Sequence, residues 1–124
     1  MNLFKCCNDD TVLDQVANTL VNNWRIAHNL VSSYGGEFIA ILQPSAYVGN
    51  PTFDRRWENN RPCMPEVHKI IYNKIRQNLD GVTWFHDMTY AYDIDIPLYI
   101  DGVHVSEKGN VIIAKKIVEI YGYK

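Results

Sequence analysis

The 124-residue sequence predicts an α/β fold with parallel strands. Three observations point there. Segments of helical periodicity alternate with short apolar runs, the runs show no in–out alternation, and turn residues punctuate the boundaries. A strand that is apolar throughout suits a parallel sheet covered by helices on both faces. The order helix, strand, helix, strand, helix calls for parallel strands joined by right-handed crossovers. One domain over residues 1–124 is the simplest organisation, because a chain of this length buries roughly two thirds of its unfolded surface.

Each element has a local reason. From Thr11 to Tyr34 apolar residues recur at Val12, Leu13, Val16, Ala17, Leu20 and Val21 and on through Trp24, Ala27, Leu30 and Val31. That is a helical period, with Asp9, Asp10 or Thr11 to cap it and Gly35-Gly36 to end it. Phe38 to Leu42, inside "EFIAILQPS", is the first strand, closed by Pro44. Residues 45–64 are polar, hold Pro51 and Pro62, and read as a long loop of the kind that carries function or motion. Pro65 fits the first turn of a second helix with Val67, Ile70, Ile71, Ile75 and Leu79 as its buried stripe and Asp80-Gly81 as its stop. "VTWFHDM" (82–88) is the second strand, and Asn2–Cys6 makes a third if it pairs. After a polar loop (89–99), Ser106 N-caps a last helix that keeps Val111, Ile112, Ala114, Ile117, Val118 and Tyr121 inside and ends at Gly122.

Composition narrows the function classes. Hydrophobic residues make up 47% and charged residues 21%, an ordinary globular balance. A net charge of −2 with signs mixed along the chain argues against a nucleic-acid or anionic-membrane partner. Trp24, Trp57 and Trp84 lack the spacing of a base-stacking platform, and Asp54-Arg55-Arg56 reads as a solvated loop face. No apolar run approaches the roughly 20 residues that span a bilayer. The start of the chain lacks a signal-peptide pattern, so a cytoplasmic location is the default expectation. Cys6 and Cys7 are adjacent, Cys63 is alone, and His28, His68, His86 and His104 are scattered. Free thiols, no metal and no cofactor follow as expectations.

One stretch carries chemistry: "IDGVHVSEKGN", residues 100–110. Ligands of open parallel sheets bind beyond the carboxyl ends of the strands, where Gln43-Pro44-Ser45, Asp87 and the Asp101–His104 loop are expected. His104 can accept a proton while Asp101 holds its other ring nitrogen, as in serine hydrolases. Their spacing within a turn brings both side chains to one side. The other reading is a loop ahead of a helix with an acid and a solvent-facing histidine. Gln43 and Tyr47 are candidate substrate-lining residues, set against plain loop packing. Ser45, beside Pro44, reads as a turn serine. A cysteine nucleophile has no base positioned for it by sequence.

The block "YIDGVHVSEKGNVIIAKKIVEIYG" resembles the C-terminal block of the SGNH, or GDSL-type, hydrolases, where an acid–x–x–His segment precedes a helix opening on glycine-asparagine. "WFHDMTYAYDIDIPLYI" is similar to that family's last strand and approach loop, and "YGGEFIAILQPSAYVG" to an earlier strand ending in Gln-Pro. The likeness runs from about residue 11 to 124 and is most specific over 99–117. It implies a flavodoxin-like α/β/α fold, of which this chain supplies a short parallel sheet of two or three strands where the family's sheet has about five. It also implies ester hydrolysis without a cofactor, with Asp101 as orienting acid and His104 as general base. The family's Gly-Asp-Ser nucleophile segment has no counterpart, since none of Ser32, Ser33, Ser45 and Ser106 follows Gly-Asp. A G-x-S-x-G elbow is missing as well. The oxyanion-hole glycine of the second block is also absent. Against the third block, Gly-x-Asn-Asp, stands Cys6-Cys7-Asn8-Asp9, which makes Asn8 an oxyanion-binding candidate; otherwise Asn8 and Asp9 cap the first helix.

The expected protein is therefore the C-terminal portion of such a hydrolase, with the Asp–His half of a triad and little or no activity alone. The alternative is a non-catalytic α/β module that self-associates. Either way a partner is expected: a second copy, or a chain supplying the missing N-terminal blocks.

Overall fold

The computed structural model describes residues 9–53 and 63–122. These form a mixed α/β protein: α1 (Asp10–Ser33), β1 (Ala40–Leu42), α2 (Met64–Asn78), β2 (Phe85–Asp87) and α3 (Glu107–Tyr121). The chain divides into two compact units, one from Met1–Leu42 and Pro62–Asp87, the other from Gln43–Arg61 and Met88–Lys124. Among the described residues no helix is long and apolar enough to cross a membrane.

The first unit holds α1, β1, α2 and β2. Asp9 caps α1 with its side chain, Oδ1 accepting from the Thr11 and Val12 amides at 3.1 and 3.4 Å. The helix ends in a Schellman turn: Gly36 N–H donates to Val31 O at 3.0 Å while Gly35 takes φ +75°. β1 and β2 pair in parallel, Ala40 with Phe85 and Leu42 with Asp87. Both strands are shorter than the apolar runs 38–42 and 82–88 suggest, since only three residues of each find a ladder partner. The expected third strand, Asn2–Cys6, lies outside the described residues.

Ala17, Val21, Leu42, Ile75 and Leu79 form the core of this unit, ringed by Trp24, Ile71, Tyr72, Trp84 and Phe85. Burying an isoleucine or leucine completely, as at Ile75 and Leu79, stabilises by about 1.5–3 kcal/mol each. Polar ties join the helices at the surface. Lys74 Nζ reaches Asp14 at 2.6 Å and Asp10 at 2.9 Å, and Arg25 donates to Asn78 O at 2.9 Å. The Asp14 hydrogen bond, then the one to Asp10, raises the Lys74 pKa. The stripe expected on α1 is too wide: Leu13, Ala17 and Val21 are buried, but Val12, Val16 and Leu30 stand in solvent.

The second unit holds α3 and the loops before it. Ala46, Tyr47, Val48, Met88, Tyr92 and Leu98 are buried. Tyr99 pairs with Val105 in an antiparallel bridge, flanked by Ser106 N–H to Leu98 O and Ile100 N–H to His104 O, each 2.8 Å. Leu98 to Ser106 is thus a narrow hairpin feeding α3, where a polar loop is expected. Ser106 occupies the N-cap position, yet its side chain makes no capping bond; its amide serves the hairpin instead. Gly109, in the first turn of α3, lets Val105 and Tyr92 close in: a Cβ there would lie 2.8 Å from Val105 Cβ, and Tyr92 Oη donates to Gly109 O at 2.9 Å. The expected buried stripe of α3 is not sealed. Val111, Val118 and Tyr121 are exposed, and Gly109 is the helix's one fully buried residue.

Cys63 corrects the expectation of free thiols, because it is disulfide-bonded. It has no thiolate to offer as a nucleophile in that state.

Candidate functional site

The tip of the 98–106 hairpin carries Asp101, Gly102, Val103 and His104. Asp101 builds the turn around its own carboxylate: Oδ1 accepts from the Val103 amide at 2.9 Å and the His104 amide at 2.7 Å. This is why an aspartate suits the position, since a carboxylate satisfies two amides that the turn leaves without backbone partners. The second oxygen, Oδ2, lies 2.7 Å from His104 Nδ1. The two side chains therefore meet on one side of the turn. The His104 amide, then the Val103 amide, then the His104 ring hold the Asp101 carboxyl down to about 2. An ionised Asp101 only accepts hydrogen bonds, which assigns the proton of the neutral imidazole to Nδ1 and leaves Nε2 as a base. The ring is 75% exposed, so Nε2 is open to an approaching hydroxyl.

Behind the pair stands a buried turn, Ser45 to Val48. Ala46 N–H donates to Gly102 O at 3.0 Å, and a Cβ on Gly102 would run into the Tyr47 phenol ring. Tyr47 thus supports the site from beneath. It is buried, which fits loop packing better than an exposed substrate wall. Gln43 is exposed and its side chain joins none of these hydrogen bonds. Ser45 is 0% exposed, and its Oγ accepts from the Tyr47 amide at 3.3 Å, as a turn serine does. Asn50 N–H donates to Asp93 Oδ1 at 2.8 Å, and Thr52 Oγ1 donates to Ile94 O at 3.1 Å, fastening the end of this loop.

Asp87, expected near the pair, belongs to the first unit, where Arg76 Nε donates to its Oδ2 at 2.6 Å. Burial first, with the Asp87 charge adding to it, raises the pKa of neighbouring Tyr72 against the lowering pull of Arg76. Asn8, the oxyanion candidate, lies outside the described residues. Among the described residues, His104 bonds to Asp101 and Ile100 and to no serine hydroxyl. No group of three or more His, Cys, Asp or Glu side chains gathers as a metal would need among them. What sequence reasoning missed is Tyr47 packing on Gly102, a long-range match that no local pattern encodes. Compared with known proteins, the chain matches no family model, no curated protein and no solved structure.

Proposed function

We propose that Asp101 and His104 are the acid–base half of an SGNH-type ester-hydrolase site, and that this chain by itself is inert or nearly so. The 2.7 Å approach of Asp101 Oδ2 to His104 Nδ1, with the ring open to solvent, carries the reading. In the complete reaction Nε2 takes the proton of a hydroxyl about 3 Å away. Asp101 fixes the tautomer and stabilises the imidazolium that forms. The nucleophile belongs to a Gly-Asp-Ser segment that this sequence lacks, and Ser45 is sealed away from substrate. A second chain carrying that segment and the oxyanion donors completes the site. No cofactor enters this chemistry, and the flavodoxin-like layering belongs to the same proposal.

A second reading is favoured by the apolar residues left exposed on α3. They suit a non-catalytic module that associates with copies of itself. The sheet supports this too, because among the described residues β1 and β2 each have a single neighbour.

The test is an assay of the purified chain on a short-chain aryl ester, run beside a serine-directed fluorophosphonate probe. No turnover and no labelling are expected, with turnover appearing when a chain bearing the Gly-Asp-Ser segment is added. Stoichiometric labelling of the chain alone, with turnover lost in His104→Ala, would show a complete enzyme instead.

A further inference from the structure

We infer that Tyr47 is a positioning residue for the acid–base pair. Through Gly102 it fixes where the Asp101 carboxylate stands, and through that carboxylate it sets the tautomer and the aim of His104. The role rests on the ester-hydrolase reading, whereas the contacts that carry it do not.

Of the four residues at the hairpin tip, only Gly102 is buried. It lies between the acid and Val103, the first residue whose amide the acid accepts, so a shift of Gly102 changes both Oδ1 bonds. Two successive residues of one turn hold it from the far side. Ala46 N–H donates to its carbonyl at 3.0 Å, and Oη, Cζ and Cε2 of Tyr47 fill the space that a side chain there would take. Tyr47 is fixed in its turn. It is buried, its amide donates to Ser45 Oγ at 3.3 Å, and Val48 N–H closes the same turn on Ser45 O at 3.0 Å.

The pair needs such a brace to hold one geometry. Its bonds are local and easily made, yet the hairpin under it has the Tyr99–Val105 bridge alone, and an unsupported hairpin is marginal in water. The His104 ring stands in solvent, and among the described residues its hydrogen bond is to Asp101 Oδ2. The ring therefore points wherever that carboxylate puts it. A reacting group stays in place only as well as the side chains behind it are locked by packing. Here the packed side chain is Tyr47, and Gly102 is the point at which it bears on the tip. Without the ring, Gly102 keeps one outside tie, the Ala46 bond, about which the tip can swing.

Nitrogen-15 spectra of the neutral imidazole, recorded on the whole chain without ester or partner, test this in four variants, with circular dichroism confirming that each folds. Tyr47→Phe keeps the ring and should keep the parent's ratio of Nδ1–H to Nε2–H forms. Tyr47→Leu should lower that ratio about tenfold, the size expected when a hydrogen bond to a charged group is weakened. Gly102→Ala pushes the tip off the ring and should lower it as well. Met88→Ala is the control, since Met88 is buried in the same unit and bonds through its carbonyl to Ala91 and not to the tip. It should lose stability and leave the ratio alone. A ratio unmoved in Tyr47→Leu overturns the inference; if that variant does not fold, a ratio unmoved in Gly102→Ala overturns it instead. A ratio that falls equally in Met88→Ala also overturns it, because general loosening would then be the cause. Failure of the ester assay leaves these spectra as they are, and unmoved spectra leave the ester assay as it is, so the two readings fail separately.

Discussion

Asp101 grips His104 twice, once through the backbone amide at 2.7 Å and once through the ring nitrogen Nδ1 at 2.7 Å. The first bond orients the turn and the second orients the ring. Nitrogen-15 spectra of the neutral imidazole should therefore show the proton on Nδ1. In Asp101→Ala that preference should be lost. A ring whose tautomer ignores the substitution would mean that the carboxylate does not hold it.

Acid should release the turn. The Asp101 carboxyl is held at about 2, below its ordinary 3.8, so the unfolded chain takes up this proton first as pH falls. A depressed folded pKa gives stability that is complete above about pH 4 and disappears as pH drops through about 2. Urea midpoints followed between pH 5 and pH 2 should fall in the parent, and Asp101→Asn should remove the part of that fall due to this group. Equal slopes in the two proteins would remove Asp101 from the acid response.

Gly102 is tested by volume. A methyl group there meets the Tyr47 ring, so Gly102→Ala should cost about 1–3 kcal/mol, as overpacking generally does. Reverse titration in urea reads this directly. Gly102→Ala combined with Tyr47→Leu should recover part of the loss, because the ring that the methyl group strikes is gone.

The contrast between two helices gives a fourth expectation. Ile75, in α2, is 1% exposed, and Ile75→Ala should destabilise by about 2–5 kcal/mol through lost burial and the cavity left behind. Val118, in α3, is exposed, and Val118→Ala should change stability by no more than about 0.5 kcal/mol at concentrations where the chain is monomeric. Thermal melts of both variants decide it.

The helices were legible because helix periods and caps are local: Asp9 and the Gly35-Gly36 pair act within one turn of their own helix. Which apolar residues are buried was not, because Val16 and Ala17 differ only in what stands opposite them. The 98–106 hairpin escaped detection since "DIDIPLYI" carries acids and a proline that read as loop, while the Tyr99–Val105 bridge supplies pairing for a single step. The Asp101–His104 pair was legible for the converse reason: only two residues separate the partners, and one carboxylate sets their geometry. For Tyr47 the sequence leaves a substrate-lining place and plain loop packing both open, because its contact with Gly102 lies far along the chain.

The bonds made by Asp101 and His104 themselves all lie between Leu98 and Ser106, and Ala46 N–H to Gly102 O ties the turn from outside. Closing so short a loop costs little chain entropy, and contacts of low sequence separation are made early in folding. The acid–base geometry is thus a nearly autonomous cassette. Its own hydrogen bonds need no distant partner to form, while Ala46 and Tyr47 brace it from outside. A hydroxyl delivered by a second polypeptide would find the base already aimed, so assembly of such a site requires docking alone and no refolding of the docked surface.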